Sequence, residues 1–227
     1  MAGTLCLQGG GEFSSDCGSM DAELLRRAGA GPVVVSALAG RVGREYATAT
    51  ANGARHFASL GATEVIAAPD ARTEPAGACA ALASAALVVL PGGSPRRLHE
   101  ALASTGAGEV IAERFAAGAL VMGASAGAMV LCGWLVDPEG AGDRWALLPG
   151  LGLAPELLVV PHWSGSAGSR RWVEAATAAP GPVTVLGIPE ASGVLVEGRI
   201  CTGMGRAATR LVTHGRDLAP TQTWSMP

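Results

Sequence analysis

The chain alternates short, unbroken apolar runs with longer stretches in which apolar and polar residues mix at helical spacing. Unbroken apolar runs predict strands covered on both faces, and they fall at residues 4–8, 33–38, 64–68, 86–90, 119–122, 157–160 and 183–188. The stretches between them predict helices at residues 20–28, 42–60, 74–84, 95–104, 109–117 and 169–178. This alternation indicates an α/β fold, in which a parallel sheet carries helices on both sides.

The carboxyl-terminal part of the chain has a different pattern. Residues 194–196 and 199–202 flank a Glu197-Gly198 turn and predict a β-hairpin, and another short apolar run follows at 210–213. We expect residues 216–227 to form an irregular tail. Because no internal repeat or long linker interrupts the sequence, we predict a single domain over residues 1–227.

One uncharged segment, residues 116–136, is long enough to span a bilayer. Its middle is the small-residue cluster Gly-Ala-Ser-Ala-Gly at 123–127, where a membrane helix would carry bulky side chains. The segment is better interpreted as a buried strand that runs into a buried helix. We therefore expect no association with a membrane.

Composition narrows the possible functions. Hydrophobic residues make up 49% and charged residues 15% of the chain, and the net charge is -3, which excludes a disordered protein and disfavours a nucleic-acid groove. All sixteen basic residues are arginine, so a Walker lysine, a lysine Schiff base and a Ser-Lys dyad are impossible. The five cysteines form no CxxC pair and predict reduced thiols without a metal. With no export signal at the start, they indicate a cytoplasmic protein.

The strongest signal for chemistry is residues 123–127, which match Gly-x-Ser-x-Gly where a predicted strand gives way to a predicted helix. Such a turn projects its serine above the sheet, and the first amides of the following helix can stabilise an oxyanion. The motif therefore suggests Ser125 as a nucleophile and the amide of Ala126 as an oxyanion donor. In a chain so rich in alanine and glycine, a close-packed crossing without catalysis is the alternative.

A second loop of interest is Pro-Gly-Gly-Ser-Pro at 91–95, between a predicted strand and a predicted helix. Gly92 and Gly93 can turn their amides toward a ligand oxygen, and the start of the next helix adds partial positive charge. An ordinary Gly-Pro turn is the alternative interpretation.

A serine nucleophile needs a base, which makes the four histidines decisive. We interpret His56 and His99, in predicted helices, as surface residues. His162 follows the apolar run at 157–160, and His214 follows the last short run, so both stay open as the base.

The base in turn needs a carboxylate that holds its tautomer. Glu190 follows the buried run at 183–188, where packing gives no reason for a charge. Asp137, Glu139 and Asp143, on a polar loop between Ser125 and His162, are the other candidates, and a solvated loop is the alternative for them.

Taken together, these pieces resemble the peptidase E and cyanophycinase group of serine peptidases. The resemblance rests on six segments in order: Gly-Gly-Gly-Glu-Phe at 9–13, Gly-Gly-Ser-Pro at 92–95, the serine motif continued to Ala128, Gly-Leu-Gly-Leu at 150–153, Pro-His-Trp at 161–163 and Gly-Ile-Pro-Glu at 187–190. It implies a class I glutamine amidotransferase-like fold, which is a three-layer sandwich with a mostly parallel central sheet.

The resemblance also implies roles for single residues. Ser125 becomes the nucleophile and His162 its base, while Gly92 or Gly93 joins Ala126 in binding the oxyanion. Relatives differ in the acid, and we favour Glu190 over the loop carboxylates. The better-known relatives prefer acidic or aspartyl-arginine substrates, for which the candidates here are Arg170 and Arg171; both are equally well explained as surface charges.

The leading hypothesis is thus a hydrolase that cleaves an amide in a short peptide through an acyl-enzyme, without a cofactor or metal. An α/β-hydrolase esterase that uses Ser125, Glu190 and His214 is the rival enzyme, because its acid and histidine come late in the chain. A ligand-binding protein that keeps the fold without turnover is the third possibility. The sequence does not fix the number of subunits, and a homodimer is one arrangement open to it.

Overall fold

The computed structural model describes residues 3–140 and 145–226, excluding the side chain of Ala167. The helices are α1 (Gly18–Ala28), α2 (Arg44–Ser59), α3 (Pro75–Ser84), α4 (Pro95–Thr105), α5 (Ala107–Ala116), α6 (Ala126–Leu131) and α7 (Ala167–Ala176). The strands are β1 (Thr4–Gln8), β2 (Val33–Val35), β3 (Val65–Ala67), β4 (Leu87–Leu90), β5 (Leu120–Ala124), β6 (Trp134–Asp137), β7 (Ala146–Pro149), β8 (Leu157–Val160), β9 (Thr184–Gly187), β10 (Ser192–Glu197), β11 (Ile200–Gly205), β12 (Thr209–Leu211), β13 (Arg216–Leu218) and β14 (Thr223–Ser225).

The central sheet has the strand order β14-β11-β10-β1-β5-β4-β2-β3. From β1 to β3 all neighbours are parallel, whereas β10, β11 and β14 add an antiparallel extension. The register pairs Gln8 with Ala124 and Leu90 with Gly123, so β1, β4 and β5 end together. The loops that follow these three strands therefore meet at one edge of the sheet, as is usual for sites in α/β proteins.

The two faces of the sheet carry separate cores. Leu5 and Leu7 of β1 pack in the larger cluster with buried residues of α3, α4, α5 and α6. Cys6, between them, faces the other side, where it packs with Leu24 of α1 and Phe57 of α2. Because side chains alternate along a strand and both faces are covered, the parallel strands are apolar throughout, which is why they were recognisable in the sequence. The predicted α/β sandwich is confirmed.

A second sheet carries the strands that precede His162 and Glu190. Its order is β13-β12-β9-β8, with β8 and β9 parallel. The strands predicted at 157–160 and 183–188 thus lie outside the central sheet, whereas the alternation along the sequence predicted a single parallel sheet. The reason is that β10 returns to pair with β1, so it takes the edge next to β1 and leaves β8 and β9 to form a sheet of their own.

The irregular tail predicted at 216–227 is also wrong, because this segment contains two strands. β13 pairs with β12 and β14 pairs with β11, both antiparallel. Each strand has three residues, too few to show an alternating pattern, and each depends on an edge supplied by an earlier strand. The predicted hairpin is present as β10 and β11. Among the described residues, no helix is both long and apolar enough to cross a membrane.

Candidate active site

Ser125 lies at the sharp turn between β5 and α6. Its backbone has φ 50° and ψ -111°, an unusual conformation for a residue with a side chain, and its N–H donates to the carbonyl of Gln8 at 3.0 Å. The strand and helix approach closely here, because a Cβ on Gly123 would lie 2.4 Å from the backbone of Gly127. Such a strained turn, held from both sides, presents the hydroxyl at the carboxyl edge of the central sheet.

His162 reaches Ser125 from the end of β8. Its own φ is also positive, at 51°, and its N–H donates to the carbonyl of Gly9 at 2.9 Å. The loop after β1 lies directly against the imidazole, since a Cβ on Gly10 would fall 2.4 Å from His162 Cε1. The ring is thereby held with Nε2 at 2.8 Å from Ser125 Oγ.

Glu190 follows β9 and completes the chain of hydrogen bonds. Its Oε1 lies 2.5 Å from His162 Nδ1. With the proton on Nδ1, the ring donates to this carboxylate and its Nε2 is free to accept the proton of the Ser125 hydroxyl. Both side chains are open to solvent, with 52% of His162 and 59% of Glu190 exposed. The three groups can therefore receive a substrate from outside.

The loop carboxylates are engaged elsewhere. Asp137 is buried and accepts from both Nε and Nη2 of Arg96, at 2.8 and 2.5 Å. The same hydrogen bonds raise the pKa of the Arg96 guanidinium. Glu139 accepts from the hydroxyl of Ser94 at 3.1 Å. Asp143 lies outside the described residues. Of the described candidates, Glu190 is thus the carboxylate that the structure brings to His162.

Two of the predicted oxyanion donors lie close to the serine, and one of them has an unexpected partner. Ala126 follows Ser125 and begins α6, where amides have no partner within the helix, and a Cβ on Gly92 would lie 3.1 Å from Ser125 Cβ. Gly93 is exposed on the loop before α4. Gly92 donates its N–H to the carboxylate of Glu12 at 2.7 Å. Sequence reasoning missed this contact of Glu12, because it joins positions eighty residues apart in two different loops.

Two histidines have surroundings that differ from the sequence-based interpretations: His214, considered as a possible base, and His56, interpreted as a surface residue. His214 Nε2 lies 3.2 Å from the hydroxyl of Thr184, the first residue of β9, whereas Glu190 follows the last. The two are at opposite ends of the strand, so the esterase triad with His214 is wrong. His56 is not a surface residue: it is 9% exposed and its Nε2 lies 2.7 Å from the fully buried Asp21. His56 is largely buried because its imidazole pairs with this carboxylate on α1.

The predicted substrate-binding arginines both lie on α7. Arg170 is exposed. The guanidinium of Arg171 lies 4.5 Å from the ring centroid of Trp145, which in turn packs on Trp172. For metal ligands, residues 3–140 and 145–226 offer no cluster of three or more histidine, cysteine, aspartate or glutamate side chains.

Comparison with solved structures agrees with the fold. The fold matches the crystal structure of a peptidase from an acI-B1 Actinobacterium, with a TM-score of 0.82 and 20% identity over 100% of this chain and 98% of that one. It also matches a protein described as peptidase E from Listeria monocytogenes EGD-e, with a TM-score of 0.66 and 19% identity over 91% of this chain and 100% of that one. A search of curated proteins found no match.

The match of the sequence to a family model shows the class of protein. Residues 37–202 match peptidase family S51, which makes this protein a serine-peptidase-type hydrolase. The chain belongs to peptidase family S51, and the resemblance to peptidase E and cyanophycinase is confirmed.

Proposed function

We propose that the protein hydrolyses an amide bond in a short peptide through an acyl-enzyme formed on Ser125. The observation that carries this proposal is the continuous chain of hydrogen bonds from Ser125 Oγ to His162 Nε2, at 2.8 Å, and from His162 Nδ1 to Glu190, at 2.5 Å. Serine, base and orienting carboxylate within hydrogen-bond reach are the arrangement that activates a hydroxyl for attack on a carbonyl.

Each group has one task in this reaction. His162 Nε2 accepts the proton as Ser125 Oγ attacks the carbonyl carbon, and then returns it to the leaving amine. Glu190 keeps the imidazole in the required tautomer and stabilises the imidazolium. Water then attacks the acyl-enzyme by the same proton transfers and releases the acid.

Backbone amides stabilise the negative charge that develops on the carbonyl oxygen. Ala126 follows Ser125 at the start of α6, and a Cβ on Gly92, in the loop after β4, would lie 3.1 Å from Ser125 Cβ. Removing a single such donor costs about a hundredfold to a thousandfold in rate in other serine peptidases. The amide of Gly92 can take part only when Glu12 releases it, a point developed in the next subsection.

The proposal includes a preference for acidic or isoaspartyl substrates, with Arg170 alone as the residue that recognises the substrate carboxylate. Arg170 is exposed on α7 and can meet a substrate carboxylate, whereas the guanidinium of Arg171 packs on Trp145. If Arg170 reads a carboxylate, Arg170→Ala raises KM for aspartyl dipeptides and leaves KM for alanyl dipeptides unchanged. Equal effects on both would remove Arg170 from substrate recognition.

Covalent labelling tests the nucleophile directly. A fluorophosphonate probe should label the wild-type protein at Ser125, and Ser125→Ala should remove both labelling and dipeptide hydrolysis. Ser84→Ala is the matched control, because Ser84 is an exposed serine at the end of α3 whose hydroxyl only donates to the carbonyl of Ala81. Undiminished labelling of Ser125→Ala would refute the assignment.

A further inference from the structure

Glu12 lies beside the nucleophile on the side where the oxyanion is expected to form. Its Oε1 accepts from the N–H of Gly92 at 2.7 Å. A Cβ on Gly92 would lie 2.9 Å from this oxygen and 3.1 Å from Ser125 Cβ, so the carboxylate and the serine side chain border the same glycine. In the unliganded protein, a negative charge therefore stands at the amide proposed to receive the carbonyl oxygen.

The backbone around Glu12 is fixed. Phe13, the next residue, has φ 64°, and its ring packs on Phe57 with centroids 6.3 Å apart. The ring also presses on α2 at Gly53, where a Cβ would lie 2.7 Å from Phe13 Cζ. A phenylalanine with positive φ persists only where its surroundings hold it. The Glu12 side chain, in contrast, can rotate about its own bonds.

The carboxylate of Glu12 competes with the oxyanion for the N–H of Gly92, unless a cation binds the carboxylate instead. An amide N–H has one hydrogen, so Gly92 cannot donate fully to both Glu12 and an oxyanion. The two negative charges also repel each other at short range. Among the ion pairs between described residues, none includes Glu12, so its charge has no cationic partner there.

We propose that Glu12 is a specificity-determining residue that binds an ammonium group on the carbon next to the scissile carbonyl. This inference rests on the proposed function and assigns the residue of that site that recognises the free amino terminus of a peptide cleaved after its first residue. The α-nitrogen of such a residue lies about 2.5 Å from the carbonyl carbon. An ammonium there takes the carboxylate from Gly92, which frees the N–H for the carbonyl oxygen.

The surroundings of Glu12 leave space for such a residue. An open groove of about 660 Å³ begins at Glu12 and Phe13 and continues along α2 past Asn52 and Arg55. A substrate whose ammonium group pairs with Glu12 can extend its first side chain into this groove. A blocked peptide brings no cation, so it leaves the carboxylate on Gly92 and meets an incomplete oxyanion site.

The first experiment compares dipeptides in matched pairs that differ only in acetylation of the amino group. The wild-type kcat/KM should favour the free member of a pair by about tenfold to a hundredfold, the range expected for a charge-assisted hydrogen bond. Glu12→Gln keeps an acceptor for Gly92 but loses the charge, so the ratio should fall close to one. Glu156→Gln is the control, because Glu156 is an exposed carboxylate before β8, at the opposite end of that strand from His162.

The second experiment measures how fast a neutral fluorophosphonate labels Ser125. Because its phosphoryl oxygen needs the same amides, Glu12→Ala should be labelled several-fold faster than the wild type, a gain that a merely structural role for Glu12 does not produce. An unchanged free-to-acetylated ratio in Glu12→Gln, or labelling of Glu12→Ala no faster than wild type, overturns the inference. So does a protein that is labelled at Ser125 but cleaves neither member of any pair, and in that case the nucleophile stands. Failure to label Ser125 at all refutes the proposed function, and this inference with it.

Discussion

Among the described residues, two histidine-carboxylate pairs have nearly the same nitrogen-to-oxygen distance and very different surroundings. His162 and Glu190 are joined at 2.5 Å and are 52% and 59% exposed. His56 and Asp21 are joined at 2.7 Å and are 9% and 0% exposed. The distance between imidazole and carboxylate therefore does not distinguish a site from a structural support.

The third partner of each pair makes the difference. The exposed pair ends at the hydroxyl of Ser125, a group that can react. The buried pair ends at Gln8, whose side-chain amide donates to Asp21 at 2.6 Å, and the ring of Phe13 lies 5.6 Å from that of His56. Since these residues border the glycine loop after β1, the buried pair supports the loop that holds His162. On the proposed function, the exposed pair transfers protons, and the buried pair maintains the architecture.

The largest expected effect is that of His162→Ala on turnover. Loss of the base should lower kcat by about 10⁴-fold or more, as it does in other serine peptidases, while the exposed position leaves thermal stability nearly unchanged. Steady-state kinetics and thermal unfolding of the same preparation check both halves. A variant that keeps more than a tenth of the wild-type kcat would break the comparison, because neither pair would then be catalytic.

Glu190→Gln should have the next largest effect. The amide of glutamine cannot stabilise an imidazolium as a carboxylate does, so we expect kcat to fall by about 10²- to 10⁴-fold with little change in KM. Glu139→Gln is the useful comparison, since Glu139 is the loop carboxylate that binds Ser94 and has no contact with His162. If Glu139→Gln were the more damaging of the two, the acid of the triad would have to be reassigned.

A substitution in the buried pair should lower the free energy of unfolding. His56→Ala leaves the buried carboxylate of Asp21 without its hydrogen bond to the imidazole, and losing a hydrogen bond to a charged group costs about 1.5–3 kcal/mol. Urea unfolding should show this loss, whereas kcat per folded molecule should stay within about tenfold of wild type. His99→Ala, on α4, is the control and should change neither quantity by much. A His56→Ala variant of unchanged stability would mean that Asp21 is held by Gln8 alone.

The sequence could predict one pair and not the other, for a physical reason. His162 and Glu190 each follow an apolar run that is recognisable as a strand, and strand ends are where α/β proteins place chemistry. His56 lies in the last turn of an amphipathic helix, and nothing near it in the sequence shows that Asp21 of another helix is its partner. Local patterns reveal strand ends, whereas pairing between remote segments depends on the assembled fold.

The same limit explains the other differences. The contact between Glu12 and Gly92 joins two loops, and the second sheet exists because a later strand occupies the edge next to β1. Neither has a counterpart in the hydrophobic pattern of the segment concerned. The parallel strands and the helices between them were predictable because burial on both faces imposes its own composition.

The smallest expected effect is that of thiol modification. It tests whether the glycine loop after β1, next to the buried pair of His56 and Asp21, stays closed to reagents. Cys17 is buried next to the glycine loop, with its Sγ 3.2 Å from the carbonyl of Gly11, and burial raises the pKa of its thiol to about 11. Near pH 7.5 less than about a thousandth of this thiol is ionised, and only the thiolate reacts with iodoacetamide. Cys79, which is partly exposed, should be modified first and serves as the internal control.

We therefore expect iodoacetamide to alkylate Cys79 and leave both Cys17 and the rate of peptide cleavage unchanged in the wild type. Peptide mass spectrometry and residual activity measure the two outcomes. In His56→Ala, loss of the support beneath the loop should allow Cys17 to react at a measurable rate, because transient opening exposes the thiol. If Cys17 reacts as fast as Cys79 in the wild type, the loop opens freely and the buried pair does not hold it. If alkylation of Cys79 alone abolishes cleavage, a serine nucleophile at position 125 would no longer account for the activity.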